Sequence, residues 1–307
     1  METGLPFKIF TTHDGLKIRY GIWPCAQNGY RGKVLLLSGR SEFLEKYLET
    51  IYELNQRGLT VYSFDWRGQG LSQRMLSDRR KGFVHSYDDY MKDLKQFIDE
   101  FVTPGNGQPT MVLAHSMGGH VALRFFHDYP GVIDKAVLIS PLIDIAGSRL
   151  MRKTIKSIAR LAAAAGFQSQ CAAKRAWDFT GHGKGFQQNR LTHDPGRYHR
   201  IRNLLLKNPD LGIEGVTFGW LDATFASIDR ISSKGFAEQI GLPILVVTAG
   251  ADQVVSIQAQ DDICKRIPNA RRLEIPDARH EILIETDSIR KAFWRAFDQF
   301  FETNVET

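Results

Sequence analysis

Ser116, Asp252 and His280 follow one another along a chain of 307 residues, each where a turn interrupts an apolar run. A hydroxyl, a carboxylate and an imidazole are the side chains of nucleophilic acyl transfer. The imidazole takes the hydroxyl proton, and the carboxylate fixes its tautomer and stabilises the imidazolium. Ser116 has the most telling surroundings. Met111 to Ala114 is a short apolar run that suits a buried strand, Gly118-Gly119 marks a turn, and Val121 to Tyr129 carries apolar residues near helical spacing. A strand that becomes a helix at a serine puts the hydroxyl on a tight elbow beside unpaired helix N–H groups, where negative charge is favoured. The usual elbow reads Gly-x-Ser-x-Gly and this one reads Ala114-His-Ser116-Met-Gly118, with the next smallest residue in the first place. A serine near a glycine is also common in any loop, so the elbow rests on the other features of the chain.

Asp252 lies in Gly250-Ala-Asp-Gln-Val-Val255, after the apolar run Ile244 to Thr248. The plainer reading is a cap on the helix that follows, and Asp144, after the preceding strand, is the rival acid; Asp252 is the favoured one. His280 lies in Asp277-Ala-Arg-His-Glu281, after the last strand and before the last helix. His115 is the tempting rival base because it adjoins Ser116, but neighbours on a strand point to opposite faces. Two backbone N–H groups, those of Met117 and of Arg40 in Ser38-Gly39-Arg40, are the expected donors to an oxyanion. Asp65-Trp-Arg-Gly-Gln-Gly-Leu-Ser72 ends another strand. Its glycines suit a tight loop, and a scaffold role, bracing the elbow and the Arg40 loop, is expected of it.

The elements that would position these groups alternate. Phe7–Thr11 and Lys17–Trp23 read as strands joined at Asp14-Gly15, a strong hairpin signal. Lys33–Leu37 is a buried strand, Glu42–Arg57 a helix closed by Gly58, and Leu59–Phe64 a strand. A helix over Tyr87–Val102 and a turn over Thr103–Pro109 precede the elbow, and Lys135–Ser140 is the strand after it. The alternation lapses from Leu142 to Gly241. It resumes with strand Leu242–Thr248, helix Ser256–Arg266, strand Arg272–Ile275 and helix Thr286–Phe301. Such alternation predicts an α/β fold with a mostly parallel sheet, helices on both faces and an N-terminal antiparallel hairpin. Residues 1–141 and 242–307 form the expected core, and 142–241 an inserted helical lid over the working loops.

Composition excludes little else. Hydrophobic residues make up 43% and charged residues 24%, as in ordinary soluble proteins. No apolar run approaches the ~20 residues that span a bilayer. The first residues, Met1-Glu-Thr-Gly-Leu-Pro6, lack a secretory pattern, and Cys25, Cys171 and Cys264 lack metal spacing. A cytoplasmic setting, with no metal or organic cofactor, is expected. The net charge of +6 is mild, and no nucleic-acid motif accompanies it, so no nucleic-acid partner is expected.

Together Asp65-x-Arg-Gly-x-Gly-x-Ser72, His115-Ser-Met-Gly-Gly119, Gly250-x-Asp-x-Val254 and Ala278-x-His-Glu281 resemble an α/β-hydrolase of the monoacylglycerol lipase and bacterial lysophospholipase group. The resemblance covers almost the whole chain. Gly39-Arg-Ser-Glu-Phe-Leu-Glu-Lys-Tyr47 and Asn189-Arg-Leu-Thr-x-Asp194 lean towards the lysophospholipase branch. It implies Ser116 as nucleophile, His280 as base, Asp252 as orienting acid, and oxyanion donors at Arg40 and Met117. It implies a serine ester hydrolase acting on a lysophospholipid or monoacylglycerol. The alternatives are a general carboxylesterase and an aminopeptidase-like amide hydrolase on the same scaffold. Two residues depart from the pattern: Ala114, and Ser38 where a histidine usually precedes the oxyanion-hole glycine.

Within the insertion, Ser148–Phe167 reads as a helix with a basic side, Arg149, Arg152, Lys153, Lys156 and Arg160, and an apolar side, Met151, Ile155, Ile158, Leu161, Ala162 and Ala165. It fits peripheral contact with an anionic membrane, drawn by its cations. It also fits a cap helix with its apolar side on the active site and its charges in water. Thr217–Phe225, rich in aromatic and small residues, suits an acyl pocket or plain lid core, and Gly181-His-Gly183 carries no clear reading.

Overall fold

Strands form where the sequence sets β-branched and apolar runs between turn residues. The computed structural model describes residues 7–25, 29–102, 108–173 and 185–302; most of the expected Thr103–Pro109 turn, the first six residues and Gly181–Gly183 lie outside them. Strands β1 (Phe7–Thr11) and β2 (Lys17–Trp23) form a hairpin whose Gly15 takes a φ of 86°. Strand β3 (Gly32–Leu37), helix α1 (Leu48–Gln56), β4 (Leu59–Phe64), the short β5 (Lys81–Gly82) and α2 (Tyr87–Phe97) follow. Then come β6 (Thr110–His115), α3 (Met117–Asp128) and β7 (Lys135–Ile139). Next in the chain are α4 (Arg149–Ala162), β8 (Cys171–Ala173), α5 (Pro195–Lys207), β9 (Gly215–Thr217) and α6 (Phe218–Ser232). It ends with β10 (Ile244–Ala249), α7 (Ile257–Arg266), β11 (Ala270–Ile275) and α8 (Asp287–Glu302).

The main sheet has the order β1-β2-β4-β3-β6-β7-β10-β11. The strands from β4 to β11 in that order run parallel, and the hairpin supplies the antiparallel edge. This is the expected α/β architecture. Period-two alternation builds both cores at once. Leu35 and Leu37 join the cluster with α2 and α3, whereas Val34 and Leu36 face α1 and α8. Two helices depart from expectation. The helix expected from Glu42 opens with a 3-10 turn, Leu44–Tyr47, and the N–H groups of Ser41 and Leu44 ahead of it donate to Gln69 and Asp65. The π turn Ile98–Val102 ends the helix begun at Tyr87, and buried Lys33 Nζ donates to the Val102 carbonyl at 2.8 Å.

β7 and β10 are paired neighbours, with Ala136 opposite Ile244, so the chain between them leaves the sheet and returns to the adjacent position. Its β9 pairs with β5 and β8 in a second, three-stranded sheet. Within this excursion α6 is the buried helix: Trp220, Leu221, Phe225 and Ile228 pack in the α2/α3 core, and Thr224 Oγ lies 3.1 Å from the Tyr87 hydroxyl. Thr217–Phe225 is therefore largely core in character.

α4 corrects the sequence picture. Its buried residue is Ala159, a small side chain that lets the helix lie close on α6, with Ile155 half-buried beside it. The large apolar residues face solvent: Leu150 is 75% exposed, Leu161 70% and Ile158 52%, and Phe167 beyond the helix is 55% exposed. The expected cap arrangement, apolar side inward and charges outward, is thus not what forms. Nor are all five cations on the open side. Arg152 pairs with Asp144 at 2.9 Å and Lys156 with Asp229, leaving Arg149, Lys153 and Arg160 exposed beside the apolar band.

Candidate active site

The elbow forms because β6 ends directly against α3. Ser116 between them takes φ 51° and ψ −114°. A non-glycine residue held there costs about 1–3 kcal/mol and persists only where its surroundings fix it. They do so here: the Ser116 N–H donates to the Ile139 carbonyl at 3.0 Å, and its own carbonyl accepts from His120 and Leu142. Gly118 has no alternative, since a Cβ there would stand 2.5 Å from the Leu37 carbonyl oxygen and 2.6 Å from that of Ser38. Ala114, the departure from the usual motif, is fully buried.

His280 bridges the other two predicted residues. Its Nε2 lies 3.1 Å from Ser116 Oγ and its Nδ1 2.7 Å from Asp252 Oδ2. With Nδ1–H donating to the carboxylate, Nε2 is left to accept the serine proton. Burial disfavours a charged His280, but the Asp252 carboxylate, helped by Glu281 and Glu42, outweighs it and raises the pKa above 6.5. The Asp252 side chain is fully buried, and its other oxygen accepts the N–H groups of Val254 at 2.7 Å and Val255 at 3.1 Å. It is no helix cap, because Ser256 caps α7. The rival Asp144 is engaged by Arg152 and by the Ile145 N–H.

His115 turns away from the serine oxygen, as strand alternation requires, but it is not idle. Its Nε2 lies 3.2 Å from the carbonyl oxygen of His280 and its Nδ1 3.0 Å from Glu42 Oε1. Glu42 stands in a buried polar cluster that sequence reasoning missed. Lys46 Nζ reaches Glu42 at 2.6 Å and Glu281 at 2.7 Å, and the Tyr47 hydroxyl donates to Glu42 at 2.5 Å. Burial alone would raise the Glu42 pKa; Lys46 and His115 instead hold it well below the usual carboxylate range. Burial likewise opposes the Lys46 charge, and Glu281 and Glu42 overcome it, raising the ammonium pKa. The signal for this cluster was faint: Glu42 and Lys46 stand four apart, a spacing shared with many surface pairs.

The same carboxylate holds the Arg40 loop, since Glu42 Oε2 accepts the Gly39 N–H. Trp66 Nε1 donates to the Ser38 carbonyl at 2.8 Å, and Gln69 takes the Ser41 N–H at 2.6 Å. Asp65 accepts the N–H groups of Leu44 and Leu71 while Arg19 pairs with it; burial nevertheless lifts its pKa to about 6. The loop after β4 thus braces the Arg40 loop, and Gln69 also reaches the Met117 sulfur at 3.6 Å. These contacts hold the backbone of the loop, where Ser38 stands in place of the usual histidine. β3 and β6 pair in parallel, Leu37 beside Ala114, so Arg40 and Met117 follow adjacent strand ends. The Arg40 side chain leaves the site for the insertion, donating to the Gly215 carbonyl at 2.6 Å with its guanidinium 4.8 Å from the Trp220 ring centre.

Known proteins resemble this chain in sequence and in fold. Lysophospholipase L2 of Escherichia coli is 31% identical over 95% of this chain and 86% of its own length. The monoglyceride lipase of Saccharomyces cerevisiae is 24% identical over the whole of this chain and 96% of its own. The fold is that of a crystal structure of a soluble variant of the latter with a substrate analog, at a TM-score of 0.77 and 22% identity over 99% of this chain and 97% of that one. Residues 29–287 match the Hydrolase_4 family, described as serine aminopeptidase, S33, and the chain belongs to that family of α/β-hydrolases.

Proposed function

We propose that this protein is a serine ester hydrolase that cleaves the fatty-acyl ester of a lysophospholipid or a monoacylglycerol. The observation that carries the reading is His280 bridging Asp252 and Ser116 at 2.7 and 3.1 Å, with the serine on a strained elbow. The substrate class is supported by similarity to lysophospholipase L2 along nearly the full chain. His280 takes the Ser116 proton as Oγ attacks the ester carbonyl. The N–H groups of Arg40 and Met117 hold the oxyanion, and His280 returns the proton to the leaving alcohol. Water, activated by the same imidazole, then frees the acid and restores the serine.

Residues 142–241 act in this reading as a lid on the core formed by 1–141 and 242–307. α4 is its outward face, and we assign it peripheral contact with an anionic lipid surface. The outward Leu150, Ile158 and Leu161, with Arg149, Lys153 and Arg160 alongside, support that assignment. Among the described residues no helix is long and apolar enough to cross a membrane, so the contact is of the interfacial kind.

The test is a substrate panel on purified protein with Ser116→Ala as control. Fatty-acid release from lysophosphatidylcholine and monoacylglycerol is compared with cleavage of a short-chain nitrophenyl ester and an aminoacyl amide. Ser116→Ala is expected to lower every activity by about 10⁴-fold or more. Comparable esterase activity in that variant would sink the assignment. Cleavage of the amide alone would move the protein to the peptidase side of its family.

A further inference from the structure

We propose that the inserted segment Asn189–Asp194 is a positioning element for His280, so that the lid is part of the catalytic scaffold as well as a cover. The inference rests on the reading of His280 as the base. Both chain neighbours of His280 are held by the backbone of this segment. Arg279 Nη1 donates to the carbonyls of Asn189 at 3.2 Å and Thr192 at 3.0 Å. The Glu281 N–H donates to the Leu191 carbonyl at 2.9 Å.

The segment is itself fixed. Asn189 Oδ1 accepts the N–H groups of Leu191 and Thr192, both at 3.0 Å, which folds the chain into a tight turn with its carbonyls towards the histidine loop. Thr192, fully buried, donates its hydroxyl to the Ile284 carbonyl at 2.6 Å and accepts the Asp194 N–H at 2.9 Å. Glu285, equally buried, closes the other side. Its carboxylate accepts the N–H groups of Arg279 and His193, each at 2.9 Å, with His193 Nδ1 also 2.9 Å away. The loop carrying His280 is thus held between His115 on the sheet side and an element about ninety residues earlier in the chain on the lid side.

Such precision matters because proton transfer needs Nε2 within hydrogen-bond reach of Oγ, and a displacement near 1 Å costs about 10²-fold in rate. Buried hydroxyls and carbonyls also have no water to fall back on when a partner is removed.

The experiment uses the full chain and a water-soluble short-chain nitrophenyl ester, so that lipid handling plays no part. Active sites are counted by titration with a fluorophosphonate, which separates lost protein from slowed protein. Thr192→Val removes the hydroxyl at nearly constant volume. Arg279→Met removes the clasp from a half-buried position where folding is less at risk. Each is expected to lower kcat per active site about 10- to 100-fold with KM changed less than threefold. Thr192→Ser, which keeps the hydroxyl, is expected to return kcat to within about threefold of the parent. Parental kcat in folded Thr192→Val and Arg279→Met, or a Thr192→Ser variant as slow as Thr192→Val, would overturn the inference. Full activity in His280→Ala would instead overturn the reading of His280 as base, and the premise with it.

Discussion

Two stretches of the same insertion meet the core in opposite ways. From Asn189 to the end of α5, a small apolar cluster of Ile201 with Phe43 and Ile284 is joined by many polar, directional contacts. Arg197 alone reaches Glu49 at 2.6 Å, Asp287 at 2.7 Å and the Glu285 carbonyl at 3.0 Å, while Asn189–Asp194 clasps the His280 loop. α4 rests on α6 through Ala159 and the Lys156–Asp229 pair, is tied to the segment after β7 by Arg152–Asp144, and turns its leucines outward. Hydrogen bonds hold groups to tenths of an ångström but only with one partner geometry. Apolar surface specifies no geometry and can exchange water for any apolar phase. One half of the insertion is built to fix atoms, and the other is built to present a surface.

The largest expected contrast lies in chemistry. Asp252→Asn, which leaves His280 without its orienting carboxylate, should lower kcat on a soluble ester about 10⁴-fold. The pair Leu150→Ser and Leu161→Ser on α4 should leave that kcat unchanged. Steady-state kinetics on both proteins compares them directly, and a loss above tenfold in the α4 pair would erase the distinction.

Stability should divide the same way. Lys46→Met strands Glu42 and Glu281 in the interior and should cost about 3–5 kcal/mol in denaturant unfolding. Lys156→Met breaks a more exposed pair on α4 and should cost at most about 1 kcal/mol. Equal losses would mean that the buried cluster is no more than a surface pair.

Surface binding should reverse the order. Replacing Arg149, Lys153 and Arg160 with Gln should weaken sedimentation with anionic vesicles about 100-fold, at roughly 1 kcal/mol per charge near the surface. Added salt should shrink the effect, and Thr192→Val should not weaken vesicle binding. Unchanged binding in the triple variant would remove the lipid surface from the account of α4.

The smallest effect is in pH. The proposed base must be neutral to work, and Asp252 raises the His280 pKa above 6.5. The acid limb of kcat/KM should therefore fall as pH drops through a value above 6.5. In residual-activity measurements on Asp252→Asn, where the main raising influence is gone, that limb should move to lower pH. A limb that stays in place would detach the titration from the His280–Asp252 pair.

Much of this was legible in the linear chain because it depends on local periodicity. Apolar runs and turn residues marked the hairpin at Phe7–Trp23, the parallel strands and the place of the excursion between β7 and β10. Strand-end position and chain order picked out Ser116, Asp252 and His280, and the structure brings those three side chains together. Alternation alone said that His115 could not serve Ser116. The glycine pattern marked the loop after β4, whose contacts brace the Arg40 loop.

The remainder required three dimensions. Periodicity showed that Ser148–Phe167 has two faces, but it could not say which face turns inward. That depended on Ala159 meeting α6 closely and on Asp144 and Asp229 standing where Arg152 and Lys156 reach them. The buried cluster of Glu42, Lys46, His115 and Glu281 draws on β6, the segment after β3 and the loop before α8, and the clasp on His280 draws on Asn189–Asp194. A charge reads as solvated in sequence until its partner is brought to it from elsewhere in the chain. The sequence by itself determined the sheet, the elbow and the three side chains of the site, because strands and turns follow from neighbours within a few residues and the three residues from their place at strand ends and their order in the chain. Only the tertiary structure decided what holds them in place, because a buried polar group is satisfied by whatever the fold sets beside it.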